Sequence, residues 1–175
     1  APSEWVPWWI TLITSMFVHA GWLHVVFNMW YLWIFGNNVE DAMTRPRYLV
    51  FYLACGMAAT ATQVLAAPAS DVPIVGASGA VAGVLGAYLV LYPRARVFTV
   101  IPLVVVWPVL EVPAWVLLAV WFVLQGLGGV RSYGSAEAGV AFFAHIGGFV
   151  AGMALAAVFA TRGRRGRPLR ARRRV

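Results

Sequence analysis

Residues 140–160 read VAFFAHIGGFVAGMALAAVFA and contain no charged side chain. A helix of roughly 20 mostly apolar residues is long enough to cross the hydrocarbon core of a bilayer. The residues that follow, 161–175, include eight arginines. Basic residues after an apolar helix are typical of a cytoplasmic segment that touches anionic lipid headgroups. This stretch therefore predicts a membrane-spanning helix followed by a basic tail.

The overall composition points to the same environment. The 175 residues are 62% hydrophobic and 11% charged, with 13 basic and 6 acidic side chains. A water-soluble domain needs far more polar surface, so an ordinary soluble protein is excluded and one embedded in a bilayer is predicted. The net charge of +7 does not indicate nucleic acid binding, because most arginines lie in the tail without interleaved aromatic residues. Cys55 is the single cysteine, which excludes an intrachain disulfide.

Arginines, prolines and glycines divide the chain into five apolar segments of about the length that a transmembrane helix needs. The predicted spans are residues 22–39, 48–67, 75–91, 113–127 and 140–160. Residues 97–110 are also apolar, but Pro102, Pro108 and Pro113 favour a loop against the membrane over a sixth span. The predicted fold is therefore an all-α, polytopic membrane helix bundle with five transmembrane helices in this chain.

The placement of the arginines predicts which ends of the spans share a side. Outside the tail they are Arg45, Arg47, Arg94, Arg96 and Arg131. If the connection between the first two spans, which carries Arg45 and Arg47, is placed on the cytoplasmic side, 12 of the 13 arginines are cytoplasmic. Only Arg131 then lies on the outer side. The loops at residues 68–74 and 128–139 then lie on the outer side. The expected organisation is a membrane domain at residues 1–161 and a basic cytoplasmic tail, expected to be disordered, at residues 162–175.

Polar side chains within the spans are costly in lipid, so each is a candidate for function. His24 and Asn28 are four residues apart near the outer end of the first span and share a helical face. An interhelical hydrogen bond that only holds helices together explains this pair equally well. Ser78 lies between Gly76 and Gly79 at the outer start of the third span, where glycines permit close backbone approach. Taken alone, a Gly-Ala-Ser-Gly run of this kind is more often a feature of helix packing than of catalysis.

The last span carries His145 about one turn below its outer end, and Gly148 and Gly152 follow on the same face. Small residues recur along both helices: Gly79, Gly83 and Gly86 in the third span, and Ala144, Gly148, Gly152 and Ala156 in the last. Such series let two helices approach closely. If these faces pack together, Ser78 and His145 meet at a similar depth.

Four polar side chains are thus predicted at one level of the outer membrane half: Ser78, His145, His24 and Asn28. A serine hydroxyl becomes an effective nucleophile when an imidazole accepts its proton, and the other two side chains could donate to an oxyanion. The nearest acid to the last three spans at this depth is Glu137 in the outer loop, so a Ser–His dyad is favoured over a triad. A zinc site is disfavoured because His19 and His24 are five residues apart and no HExxH motif is present.

Five short motifs occur in order along the chain. They are HAGWLHVVFNM at residues 19–29, FG at 35–36, VED at 39–41, GASG at 76–79 and AHIGG at 144–148. In these motifs, their order and their spacing, the chain resembles the rhomboid intramembrane serine proteases of bacterial type, from Trp9 to about Phe159. Rhomboids have at least six spans, so the resemblance implies a rhomboid-like six-helix core whose first helix is expected to be missing from this chain.

The resemblance also implies roles for individual residues. Ser78 corresponds to the family's nucleophile and His145 to its base. His24 and Asn28, with the backbone N–H of Ser78, correspond to the oxyanion hole, and His19 matches a histidine that is expected to be structural. The glycines expected to shape the site are Gly76, Gly79, Gly148 and Gly152.

The resemblance further implies a substrate and a setting. Family members hydrolyse a peptide bond in or next to the transmembrane helix of a membrane protein, which enters from the lipid near the outer face. The expected partners are therefore transmembrane protein substrates and the lipid bilayer, with no cofactor, metal or nucleic acid. The oligomeric state is left open. The expected location is a bacterial cytoplasmic membrane, with the active site toward the outer side.

Two positions depart from the family pattern. Trp9-Ile10-Thr11 stands where some members have Trp-Arg, and Ala82 stands where an aromatic residue often stacks near the catalytic histidine, a role that Phe142 or Phe143 could take. An inactive rhomboid-like protein that binds and escorts membrane helices is the alternative function, but it needs none of the four polar residues. A transporter is disfavoured because it would carry ionisable residues deep in the bundle.

Overall fold

A computed structural model describes residues 7–100, 107–132 and 141–161 of the chain. The predicted basic tail at residues 162–175 and the acidic residue Glu137 lie outside the described residues. Most of the described chain is helical, and the longer helices pack side by side as a bundle.

The described part of the chain forms helices and one two-stranded sheet. The helices are α1 (Trp8–Thr14), α2 (Trp22–Tyr31), α3 (Asn37–Ala42), α4 (Arg45–Ala66), α5 (Ser78–Leu91), α6 (Ala114–Ser132) and α7 (Phe142–Phe159). A 3-10 turn, Ser15–Phe17, follows α1, and a π-helical turn, Leu32–Gly36, joins α2 to α3. The strands β1 (Arg96–Val100) and β2 (Val109–Pro113) lie between α5 and α6.

Three of the five predicted spans are single helices with the length and apolar composition to cross a membrane, namely α4, α6 and α7. The predicted span at residues 22–39 is α2 with its continuation into α3, and this unit is bent by 90° from the short helical segment before it. The predicted span at residues 75–91 is α5, which is apolar but only 14 residues long. The prediction of a polytopic helix bundle is confirmed.

The connection between α5 and α6 differs from the prediction. The sequence predicts a loop against the membrane at residues 97–110, whereas the structure has an antiparallel hairpin in which Arg96 pairs with Pro113 and Val100 pairs with Val109. Each strand contains two valines, which favour extended backbone, and along β1 exposed and half-buried residues alternate. The prediction of a loop missed this hairpin, which joins two helices without adding another to the described part of the bundle.

Helix α5 occupies the centre of the bundle, with α4 and α7 as its main neighbours. Ten consecutive residues, 79–88, are buried. A helix can be enclosed on all sides in this way when small residues let its neighbours approach closely. At its far end larger rings fill the space, and Phe35 packs edge-on against Tyr88 with ring centroids 4.9 Å apart.

Several helix ends lie together at the end of the bundle away from Ser78. Thr161 follows α7, and its backbone nitrogen donates to the carbonyl oxygen of Ala42 at 3.0 Å. Ala42 is the last residue of α3 and lies just before α4. The hydroxyl of Tyr92, just after α5, donates to the carbonyl oxygen of Asn38 at 3.2 Å. The arginines near these helix ends are Arg45, Arg47, Arg94 and Arg96. These four arginines therefore lie at the opposite end of the bundle from Ser78.

Candidate active site

Gly76 shapes the turn that leads into α5. Its φ is +108°, a conformation that residues with a Cβ rarely adopt. Its N–H donates to the carbonyl oxygen of Ser15 at 2.9 Å. The ring of His24 fills the space beside it, with Nε2 2.7 Å from the place that a Cβ of residue 76 would occupy. Gly76 therefore brings the backbone just before Ser78 against the ring of His24.

Glycines bring α5 and α7 into main-chain contact. In each contact, a Cβ on the glycine would collide with a carbonyl oxygen of the facing helix; the pairs are Gly148 with Gly79, Gly152 with Gly83, and Gly86 with Phe149. The contacts succeed one another along the two helices, so the two small-residue series face each other. This close approach sets the distance between the side chains at the N-terminal ends of α5 and α7.

Ser78 and His145 meet at that end. The hydroxyl oxygen Oγ of Ser78 lies 2.9 Å from Nε2 of His145, although 67 residues separate them in the chain. Both residues are partly buried. A hydroxyl that donates to an unprotonated imidazole nitrogen at this distance is the arrangement that can activate a serine nucleophile.

Two side chains of α6 also contact His145, and the sequence analysis singled out neither. Oε1 of Gln125 lies 2.8 Å from Nδ1 of His145. The indole of Trp121 lies beside the imidazole, with ring centroids 6.0 Å apart. A signal for Gln125 was present, because it is the one carboxamide of α6 and polar groups are costly in lipid. Ala82, where an aromatic ring was expected from the family, is fully buried.

Gln63 on α4 is another polar residue that the sequence analysis passed over. Its Oε1 accepts a hydrogen bond from the backbone nitrogen of Ala144 at 3.1 Å. The first N–H groups of a helix have no acceptor within the helix, and Ala144 lies in the first turn of α7. The amide of Gln63 therefore stabilises the turn that carries His145.

His24 and Asn28 line the same cavity as Ser78 and His145. Asn28 is 5% exposed, and its Nδ2 donates to the backbone oxygen of His24 at 2.8 Å. Since an amide nitrogen carries two hydrogens, one N–H of Asn28 remains outside this bond. The ring of His19 packs edge-on against the ring of His24, with centroids 5.1 Å apart. The structure thus brings the four predicted polar residues to one cavity.

The cavity has a volume of about 1150 Å³. Its wall includes the connection between α4 and α5 at residues 67–75, and also Phe142 and Phe143. Pockets for drug-sized ligands measure about 300–1,000 Å³, so this cavity is large enough for a short stretch of peptide. Among the described residues, no three His, Cys, Asp or Glu side chains come together in a way that could hold a metal ion.

Comparison with known proteins identifies the family. The Rhomboid domain matches residues 7–162. Rhomboid protease GluP of Bacillus subtilis (strain 168) is 39% identical over 82 residues, which are 47% of this chain and 15% of that protein. Rhomboid protein 1, mitochondrial, of Saccharomyces cerevisiae is 30% identical over 148 residues, which are 82% of this chain and 40% of that protein. Rhomboid-like protein 11, chloroplastic, of Arabidopsis thaliana is 38% identical over 77 residues, or 44% and 27% of the two chains.

This chain spans less than half the length of each of these three relatives. The relatives include a mitochondrial and a chloroplastic protein beside one from a bacterium, so a bacterial cytoplasmic membrane stays a prediction. The apolar helices support a multi-pass protein embedded in a membrane. Because the Rhomboid domain covers nearly all of the chain, this membrane protein belongs to the rhomboid family.

Proposed function

We propose that the protein is an intramembrane serine endopeptidase, which hydrolyses a peptide bond in or next to the transmembrane helix of another membrane protein. The observation that carries this proposal is the 2.9 Å contact between Oγ of Ser78 and Nε2 of His145 in the wall of a large cavity. The Bacillus relative, named a rhomboid protease, adds support from similarity.

Acyl transfer to the enzyme is the first stage of the proposed reaction. Nε2 of His145 accepts the hydroxyl proton of Ser78 while Oγ bonds to the carbonyl carbon of the scissile peptide. The carbonyl electron pair moves onto its oxygen and forms a tetrahedral oxyanion. When that pair returns, the carbon–nitrogen bond breaks, and His145 donates the proton to the departing nitrogen. One product leaves as an amine, and the other remains as an ester on Ser78.

Water completes the reaction in the second stage. Nε2 of His145 accepts a proton from a water molecule, and the water oxygen attacks the ester carbonyl. The second tetrahedral intermediate collapses, Oγ of Ser78 leaves, and His145 returns the proton to it. The net change is the hydrolysis of one peptide bond by one water molecule. A Ser–His pair is sufficient for every proton transfer in this sequence.

We assign the oxyanion site to His24, Asn28 and the backbone N–H of Ser78. Ser78 is the first residue of α5, and N–H groups in the first turn of a helix have no acceptor within that helix. They also lie at the positive end of the helix dipole. The ring of His24 and the second N–H of Asn28 belong to side chains that line the same cavity. Donors placed where negative charge develops usually make the largest catalytic contribution.

The proposed substrate class follows from the position of the site. The described arginines other than Arg131 lie near helix ends opposite Ser78, which supports a site toward the outer side of the membrane. A helix in lipid keeps its backbone hydrogen bonds internal, so its peptide bonds become accessible only where it unwinds. A transmembrane helix that unwinds near the outer interface therefore fits this cavity best.

The proposal is tested by reconstituting the full-length protein in liposomes with a fluorescent single-span reporter. We expect cleavage by the wild type and its loss in Ser78→Ala and His145→Ala. Thr99→Ala is the matched control, because it removes a hydroxyl that binds the carbonyl oxygen of Val97 at the other end of the bundle. It should cleave at the wild-type rate. Equal cleavage by the wild type and Ser78→Ala would contradict the proposal.

Covalent labelling separates a protease from a protein that only binds and escorts membrane helices. A fluorophosphonate probe reacts with an activated serine, so we expect it to label the wild type and Thr99→Ala. Labelling should disappear in Ser78→Ala and fall in His145→Ala. A correctly folded wild-type protein that binds the reporter without cleavage or labelling would favour the escort function.

A further inference from the structure

We infer that Gln125 is a positioning residue, which holds His145 in the tautomer that can accept a proton from Ser78. The inference deepens the proposed protease function and rests on it. Gln125 and Ser78 approach opposite nitrogens of one imidazole ring, with Oε1 of Gln125 at 2.8 Å from Nδ1 and Oγ of Ser78 at 2.9 Å from Nε2. The three side chains come from α6, α7 and α5.

The chemistry of the amide decides where the ring proton lies. A neutral imidazole carries one proton, on either Nδ1 or Nε2. A carbonyl oxygen such as Oε1 only accepts, so its contact with Nδ1 requires the proton to be on that nitrogen. Nε2 is then unprotonated and directs its lone pair toward the hydroxyl of Ser78. With the amide reversed, its NH₂ group would donate to Nδ1, the proton would move to Nε2, and His145 could not act as a base toward Ser78.

Helix α6 makes a second contact that keeps the ring in this orientation. Trp121 and Gln125 are four residues apart and share one face of α6, as His145 and Phe149 share one face of α7. The indole of Trp121 lies 6.0 Å from the ring of His145 and 5.7 Å from the ring of Phe149, centroid to centroid. The imidazole is therefore held at its edge by the amide of Gln125 and along its side by the indole of Trp121.

The position of Gln125 in an apolar helix indicates that its amide is needed for the hydrogen bond to His145. Gln125 is partly buried, while the apolar side chains of Val123 and Leu124 just before it are exposed. A carboxamide in an apolar membrane helix is costly unless it is hydrogen-bonded. The bond to His145 satisfies it.

The charged and titratable groups near His145 are few in the described part of the chain. On α2, His24 and Tyr31 line the same cavity as His145. The charged residue of α6 is Arg131, which lies six positions after Gln125 and therefore on another face of the helix. Asp71 lines the cavity from the connection between α4 and α5. The facing polar residues Gln63 of α4 and Ser78 of α5 are uncharged at neutral pH. Of all the side chains named here, Gln125 is the one that contacts Nδ1 of His145.

Three variants measured across pH test the inference on the reporter in liposomes. Gln125→Met keeps the length of the side chain but has no oxygen acceptor, so kcat should fall by about 10-fold or more with little change in KM. Gln125→Glu keeps an acceptor and should retain most of the activity. Its carboxylate stabilises the charged imidazolium of His145, so as the pH falls activity should be lost at a pH about one unit higher than in the wild type. Leu124→Met, at an exposed neighbour on α6, should behave as wild type.

A merely structural role for Gln125 makes a different prediction. Gln125→Glu and Gln125→Met would then lower activity together with stability, and neither would move the acidic limb of the pH profile. Wild-type activity in a folded Gln125→Met protein, or an unmoved acidic limb in Gln125→Glu, would overturn the inference. Thermal unfolding of each variant in detergent checks that it is folded.

The tautomer can also be observed without any turnover. The chain has three histidines, so ¹⁵N spectra of the detergent-solubilised full-length protein can be assigned with one substitution at each of His19 and His24. We expect a protonated Nδ1 and an unprotonated Nε2 for His145 at neutral pH, and a mixture of both tautomers in Gln125→Met. A protonated Nε2 in the wild type would overturn the inference. Equal reporter cleavage by the wild type and Ser78→Ala would instead overturn the proposed function, while the tautomer would still be decided by these spectra.

Discussion

Gly152 rests against the backbone carbonyl oxygen of Gly83, so that any side chain at position 152 would collide with the main chain of α5. A collision with backbone cannot be relieved by rotating a side chain, so one helix must move. The contact lies seven residues beyond His145, about 10 Å along the helix. The spacing of α5 and α7 therefore depends on this pair, and the distance between Ser78 and His145 depends on that spacing.

Substitution of Gly152 by alanine should separate α5 from α7. We expect Gly152→Ala to lower the free energy of unfolding by about 1–3 kcal/mol, as overpacking of a tight core does, and to reduce cleavage of the reporter. The matched control is Gly126→Ala on α6, where a Cβ would meet nothing within 4 Å. Alanine there should be neutral or stabilise by up to about 1 kcal/mol. Thermal unfolding in detergent measures both, and equal stability of the two variants would contradict the close packing.

Substitution of Gly76 should damage the site for two reasons. Alanine disfavours a φ of +108°, and its Cβ would press on the ring of His24. Backbone strain of this kind costs about 1–3 kcal/mol. We expect Gly76→Ala to lower kcat for the reporter more than Gly21→Ala, since Gly21 has extended backbone and open space around it. Identical kinetics for these two variants would show that the turn does not position the site.

Removal of the Asn28 side chain tests the assignment of the oxyanion site. Loss of one donor to an oxyanion typically costs about 10²- to 10³-fold in kcat, so we expect a fall of that order in Asn28→Ala with KM little changed. Asn37→Ala is the control, because Nδ2 of Asn37 makes the same kind of bond to a carbonyl four residues earlier, that of Trp33 at 3.3 Å. If both variants lose activity equally, Asn28 serves its helix and not the reaction.

The substrate preference can be tested with the reporter itself. A helix in lipid exposes a peptide bond only where it unwinds, so glycine or proline near the outer interface should favour cleavage. We expect replacement of those residues by leucine to slow cleavage. The same replacement near the inner end of the reporter is the control and should change little. Cleavage rates that are the same across the whole panel would contradict the need for unwinding.

The features of this molecule that depend on the order and spacing of residues along the chain could be predicted from the sequence. The length of apolar segments identified α4, α6 and α7, because crossing a bilayer depends on the number of consecutive apolar residues. The spacing of Gly148 and Gly152 after His145 predicted one smooth helical face, because a helix repeats every 3.6 residues. The hairpin of β1 and β2 was missed because its prolines suggested a loop, whereas the pairing of the two strands satisfies their backbone.

The sequence by itself determined the membrane class of this protein and the residues Ser78, His145, His24 and Asn28 as one candidate site, since these follow from apolar length, charge placement and residue order. Only the tertiary structure decided which side chains touch His145. Gln125 and Trp121 contact His145 from α6, although they are 20 and 24 residues away along the chain. They do so because α6 is oriented about its own axis with the face that carries them toward α7. Contacts of this kind depend on how helices cross, and helix crossing is set by packing between segments rather than by periodicity within one.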